Sequence, residues 1–182
     1  MTGYVTKIMP MILVSPLSAL PGALSAYRPS HLVTLLSPEH MIQTPTGFPP
    51  ERQLRLGLND ITDARSGEAP PQAHHMAQII AFGRQWDGSA PMIVHCWAGV
   101  SRSMAAAFTL LCERSAPGRE REIALAIRAR APHASPNRLL VRFADEALRR
   151  DGAMIEAVEA MGASTFVEEG VPVELPLTIL RT

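Results

Sequence analysis

The sequence predicts a single α/β domain: a central, mostly parallel sheet of four to five strands flanked by helices, with a short loop running from a buried strand into a buried helix. Three observations carry this. Apolar runs of strand length, Ile8–Val14, Leu32–Leu36 and Met92–Val94, alternate along the chain with segments of helical periodicity. A length of 182 residues suits one ordinary domain and leaves no room for a second. With 47% hydrophobic and 19% charged residues, the chain can bury a core and lies far from the composition of disorder.

Each element has its own local reason. Ile8–Val14 and Leu32–Leu36 are continuously apolar and end at Ser15-Pro16 and Ser37-Pro38, which suits strands buried on both faces. Between them, Leu17, Leu20, Leu24 and Tyr27 have helical spacing, but Pro21 and Gly22 limit this to a short or broken helix. Ser37 to Pro50 holds four prolines and reads as loop. Leu54, Leu56 and Leu58 then alternate with Gln53, Arg55 and Gly57, the period of a strand with one buried face. Asn59-Asp60 ends it, and residues 61–70 form a polar loop. A helix should begin near Pro71 and bury Ala73, Met76, Ala77 and Ile80. Met92–Val94 follows Pro91 as a short strand leading to His95-Cys96, and residues 102–112, apolar nearly all round, read as a central buried helix. Two amphipathic helices are expected near 119–130, with Ile123 and Ile127 inward, and near 138–149, with Leu140, Phe143, Ala144 and Ala147 inward. The domain is read as residues 1–162. Residues 163–182 form a C-terminal tail in which Val171, Val173, Leu175 and Leu177 alternate as in a docked strand. Glu113 to Arg150 carries nine arginines against five acids, whereas 151–174 carries six acids and no base. The tail either docks on the helices or the two segments are solvated faces of opposite sign.

Composition also excludes. Seventeen Lys+Arg balance seventeen Asp+Glu, so no global field draws the chain to nucleic acid or an anionic membrane, and any anion chemistry must be local. Lys7 is the only lysine, an arginine preference that suggests a GC-rich bacterial genome. The longest apolar runs reach about half the ~20 residues of a membrane-spanning helix. Lys7 before an apolar run and Ala23-Leu24-Ser25-Ala26 resemble a secretory signal faintly, but Pro10, Pro16 and Pro21 interrupt it. Two cysteines make no disulfide framework, so a reducing, cytoplasmic compartment is expected.

The chemistry concentrates in His95-Cys96-Trp97-Ala98-Gly99-Val100-Ser101-Arg102-Ser103, between the buried strand and the buried helix. The amides of residues 97–102 can turn inward as a nest, with the positive end of the following helix behind them, and this makes an anion site for phosphate or sulfate. Gly99 suits a tight curl, and Arg102 offers a planar pair of donors matched to two phosphate oxygens. The same field favours a thiolate at Cys96. A nucleophile facing a tetrahedral anion implies phosphoryl transfer to sulfur, and Ser103 can donate a hydrogen bond to that sulfur as it leaves. Trp97 either walls the pocket or packs beneath it. His95 either orients Cys96 or is a satisfied buried histidine. His74-His75 is not read as a metal site, because adjacent histidines diverge by about 100° on a helix and no second pair has ligand spacing. Cys112 lies too far along the helix to serve Cys96 and reads as core.

This motif, a cysteine and an arginine separated by five residues with His before and Ser after, resembles the signature of the cysteine-dependent protein tyrosine phosphatase superfamily. The sequence is most similar to its small dual-specificity-type members, and the resemblance covers roughly residues 5–150. It implies a phosphatase without cofactor or metal, acting on phosphotyrosine and phosphoserine or phosphothreonine of proteins, or on a small phosphate ester. It further implies Cys96 as nucleophile, Arg102 as phosphate clamp, and an upstream aspartate as general acid. Asp60 and Asp63 lie 36 and 33 residues before Cys96; Asp60, at the strand end, is the first choice and Asp63 the second. The resemblance also implies that Asn137, after Pro136, braces the phosphate loop as an asparagine in this place does in similar phosphatases; read locally it is the N-cap of the last helix. A phosphate-binding module without turnover and a rhodanese-like sulfurtransferase are the alternatives. The uncharged Trp97-Ala98-Gly99-Val100 disfavours a highly anionic lipid head group.

Overall fold

The computed structural model describes residues 10–181. Five strands form one sheet in the order β3-β2-β4-β1-β5: β1 Met11–Pro16, β2 His31–Leu36, β3 Gln53–Gly57, β4 Met92–Cys96 and β5 Val173–Pro176. β1, β2, β3 and β4 run parallel, and only β5 is antiparallel, on β1. Six helices flank the sheet among the described residues: α1 Leu20–Tyr27, α2 Ala73–Gln85, α3 Arg102–Glu113, α4 Glu120–Arg130, α5 Arg138–Leu148 and α6 Ala153–Ala160. This is the α/β architecture that the sequence predicts. Ile8 and Met9 of the first apolar run lie outside the described residues.

Alternation along the buried strands sorts their side chains into two layers. Leu13, Leu32 and Ile93 pack with Leu20 and Ala23 of α1 on one face, while Ile12, Val14, Val33, Leu35, Met92 and Val94 meet the other helices on the opposite face. Helix α1 forms despite Pro21 and Gly22 because Pro21 falls in the first turn, where its missing N–H would have no intrahelical partner. In α3 every residue from Arg102 to Cys112 is buried, as an all-apolar helix requires.

Three expectations need correction. In α2 the buried face is His75, Met76, Ile79, Ile80, Phe82 and Gly83, whereas Ala73 and Ala77 are exposed. The larger apolar side chains won the core, rotating the helix away from the alanine-based stripe. Likewise Ala147 of α5 is exposed and Phe143 half-buried, with Leu139 and Val141 taking the interior. The third is α6, which has no counterpart among the helices expected from the sequence. Its N-cap is Gly152, without a side chain, and the acceptors for its first turn come from Asp145 of α5, at 2.8 Å from the Gly152 N and 2.9 Å from the Met154 N. A cap supplied from the preceding helix leaves no local signal.

The arginine-rich segment meets the C-terminal region through backbone carbonyls. Arg128 donates to the carbonyls of Met161 at 3.2 Å and Gly162 at 3.4 Å, and Arg119 donates to those of Ile179 and Leu180. The acids Glu169 and Glu174 instead accept from Ser18 and Tyr27 on the α1 side, both at 2.7 Å.

Candidate active site

Parallel register sets the stage. Cys96 closes β4 opposite Pro16, and His95 lies between Ser15 of β1 and Thr34 of β2. The chain then curls through residues 97–101 and enters α3 at Arg102. What turns this curl into a nest is the capture of its carbonyls from outside. Trp97 O accepts from Leu17 N at 3.0 Å, Ala98 O from Gly170 N at 2.8 Å, Val100 O from Ser135 N at 2.9 Å, and Ser101 O from Asn137 N at 3.3 Å. Within each peptide the N–H points opposite to the C=O, so the amides of Ala98, Gly99, Ser101 and Arg102 face inward. Gly99 shows the result, its N–H donating to Cys96 Sγ at 3.3 Å.

Gly99 is glycine for two reasons. Its φ is +70°, and a Cβ there would lie 2.7 Å from Pro16 N and 3.0 Å from Ser15 C. Cys96 is 1% exposed and its sulfur lies 3.1 Å from Ser103 Oγ. Arg102, 5% exposed, donates through Nη1 to Leu58 O at 2.8 Å, which pins one edge of the guanidinium. Its Nε is buried and has no hydrogen-bond partner among the described residues; the nearest charge is the Asp60 carboxylate, at 3.9 Å. A buried guanidinium edge without an acceptor fits an oxyanion ligand.

The two aspartates differ sharply. Asp60 Oδ1 accepts from Ser101 Oγ at 2.7 Å and from Asn137 Nδ2 at 2.8 Å, which ties it to the loop. Asp63 bonds only locally, to Arg65 N at 3.0 Å and Arg65 Nε at 3.4 Å, and these donors hold its carboxyl below the usual range. Both readings of Asn137 describe the same side chain: Oδ1 caps α5 by accepting from Leu139 N and Leu140 N, while Nδ2 reaches Asp60 and Ile61 O. Asn59, two residues past β3, fastens the loop behind Asp60, with its N donating to Ala69 O at 2.8 Å and its Nδ2 to Glu68 O at 2.9 Å.

His95 is fully buried, and burial pushes it down to about 4, helped by the Arg102 charge and opposed by the Cys96 backbone. Its Nε2 lies 2.9 Å from Thr34 Oγ1, which accepts from Gln53 Nε2 at 2.9 Å. Burial holds the ring in neutral form, with the Thr34 hydroxyl as the partner of Nε2. Trp97 is 53% exposed at the loop's mouth, with the His40 ring edge-on at 5.3 Å, so it does not pack beneath the loop. Cys112 is fully buried in α3, and burial pushes its thiol up. His75 serves structure: its Nδ1 accepts from Gln72 N at 3.0 Å at the start of α2. Among the described residues no three His, Cys, Asp or Glu side chains are placed to hold a metal ion, and no helix is long and apolar enough to cross a membrane.

Thr34, Gln53, Asn59, Leu58 O, Ser135 and Gly170 all touch this site, yet none was legible as a site residue in the sequence. Their contacts come from strands and segments distant in the chain, and Leu58, Ser135 and Gly170 act through backbone groups that no side chain announces.

Comparison with known proteins bears on the fold and on residues 63–128. The protein-tyrosine phosphatase family model matches residues 63–128, which contain the whole loop and α3 but begin after Asp60. The crystal structure of DUSP15 superimposes with a TM-score of 0.55 at 20% identity, covering 87% of this chain and 97% of that one. No curated protein matches. Fold and loop thus define an α/β domain with a Cys-to-Arg loop at the carboxyl end of a central parallel strand. Over residues 63–128 the chain is similar to the protein-tyrosine phosphatase family, and its fold is similar to that of DUSP15.

Proposed function

We propose that the protein hydrolyses phosphate monoesters on cytoplasmic proteins, phosphotyrosine and also phosphoserine or phosphothreonine, through a cysteinyl-phosphate intermediate. One observation carries this reading: a nucleophile-bearing loop turns its amides inward while the buried Nε edge of Arg102 lacks an acceptor. Phosphate is held by the amides of residues 97–102 and by Arg102, whose planar donors suit the equatorial oxygens of the transition state. Cys96 Sγ attacks phosphorus, the bond to the ester oxygen breaks, and Asp60 delivers a proton to that oxygen. A water then attacks phosphorus, giving its proton to Asp60, and the sulfur–phosphorus bond breaks. Ser103, 3.1 Å from Sγ, donates to the departing sulfur. His95, neutral and hydrogen-bonded to Thr34, orients the Cys96 backbone.

The connection of Asp60 to Ser101 and Asn137 supports it over Asp63, whose carboxyl bonds only to Arg65 in its own loop. The test is the purified protein on an aryl phosphate beside Cys96→Ser. The wild type should release phosphate and Cys96→Ser should not, while both bind inorganic phosphate. Phosphate binding with no turnover by the wild type would instead indicate a binding module.

A further inference from the structure

Of the four backbone donors from outside the loop and α3 that hold the loop's carbonyls outward, three come from segments inside the predicted catalytic fold: Leu17, Ser135 and Asn137. The fourth, Gly170, comes from the C-terminal tail. Its N–H donates to Ala98 O at 2.8 Å. The Ala98 carbonyl and the Gly99 N–H share one peptide plane and point in opposite directions, so anchoring the carbonyl outward aims that N–H inward. The Gly99 N–H is the group that donates to Cys96 Sγ at 3.3 Å. We infer that Gly170 is a positioning residue, through which the tail aims the Gly99 amide at the nucleophile and at the oxyanion it receives; the inference rests on the phosphatase reading.

The seat is made for a glycine. A Cβ on Gly170 would lie 2.7 Å from His133 Nε2, 2.9 Å from His133 Cδ2 and 3.2 Å from Ala98 O. His133 is buried and Ala98 O is the anchored group itself, so any side chain presses on the contact that matters. The tail is fastened on both sides of Gly170. Thr165 N donates to Pro132 O at 2.9 Å, Ser18 Oγ donates to Glu169 at 2.7 Å, and Val173–Pro176 pairs with β1 as β5. Tethered in this way, the tail transmits a fixed position to the loop.

Two substitutions test this in the full-length chain. Gly170→Ala keeps the N–H but crowds Ala98 O, and Gly170→Pro removes the N–H. Inorganic phosphate is the binding probe, and the rate at which iodoacetate, itself an anion, alkylates Cys96 is the second readout. Each variant should bind phosphate about tenfold more weakly, the scale of one lost hydrogen bond, and alkylate correspondingly more slowly. Adding His133→Ala to Gly170→Ala frees the ring side of the clash and should restore part of the affinity, which a generally weakened fold would not do. If either Gly170 variant fails to fold, Ser18→Ala loosens the same tail from outside and should weaken phosphate about twofold. Folded Gly170 variants with wild-type affinity and alkylation rate overturn the inference while leaving the phosphatase reading intact. A wild type that neither binds phosphate nor turns over an aryl phosphate overturns that reading instead.

Discussion

Gly99 carries two constraints that no other side chain meets together, a φ of +70° and a close approach to the backbone at Ser15-Pro16. Gly99→Ala should lose phosphate binding and destabilise the fold by roughly 1–3 kcal/mol from backbone strain alone, read by urea unfolding and calorimetry; wild-type affinity would show that the loop curls in another way. The two aspartates separate by leaving group. If Asp60 protonates the departing oxygen, Asp60→Asn should lose about 10²–10⁴ in rate on phenyl phosphate and much less on a nitrophenyl ester, whose leaving group needs no proton. Asp63→Asn should match the wild type on both, and the reverse pattern would transfer the role to Asp63. His95 was readable only as a histidine beside a cysteine. Its placement between Thr34 and the Cys96 backbone depends on strand register, which sets which residues of β2 and β3 reach it.

Among the elements, α3 was the most legible, because a helix without a polar face has only one place to go. The join of α3, α4 and α5 was not. Arg150, just past α5, donates to Glu120 at 2.7 Å, to Cys112 O at 2.7 Å and to Ser115 O at 3.0 Å, and Glu120 also accepts from Gly118 N at 2.9 Å. Both side chains of the pair are almost fully buried. Arg150→Leu strands a buried carboxylate and two carbonyls, so a stability loss of about 3–5 kcal/mol is expected in denaturant unfolding. A loss under about 1 kcal/mol would mean that Glu120 finds water or another donor. Sequence patterning showed only an arginine-rich segment here, since charge counts do not reveal which cations are buried.

The whole molecule holds several histidines in neutral form. Burial lowers His95 and His75 to about 4 from 6.5, and lowers His31 and His133 in the same direction. The unfolded chain protonates these side chains below pH 6.5 while the folded protein does not, so unfolding takes up protons and stability falls as the pH drops from about 6.5 towards 4. Each of His95 and His75 can contribute up to about 1.4 kcal/mol per pH unit in that window. Thermal unfolding between pH 7 and 4.5 should show the decline, and His75→Gln, which keeps an acceptor for Gln72 N, should flatten it. A midpoint that stays level or rises on acidification would contradict neutral burial.

The sequence by itself determined the fold class, the strands β1 to β4 and the identity of the loop, because apolar periodicity and the Cys-to-Arg spacing are local properties of the chain. It also narrowed the acid to two aspartates, at 36 and 33 residues before Cys96. Tertiary structure decided what depends on partners far apart in the chain. It rotated α2 towards its larger side chains, capped α6 from α5, and tied Asp60 rather than Asp63 to the loop through Ser101 and Asn137. It also brought Leu17, Ser135, Asn137 and Gly170 around the loop as backbone donors. The physical reason is the same in each case: a backbone N–H is present at nearly every position, so only the folded arrangement selects the few that turn a loop's amides inward.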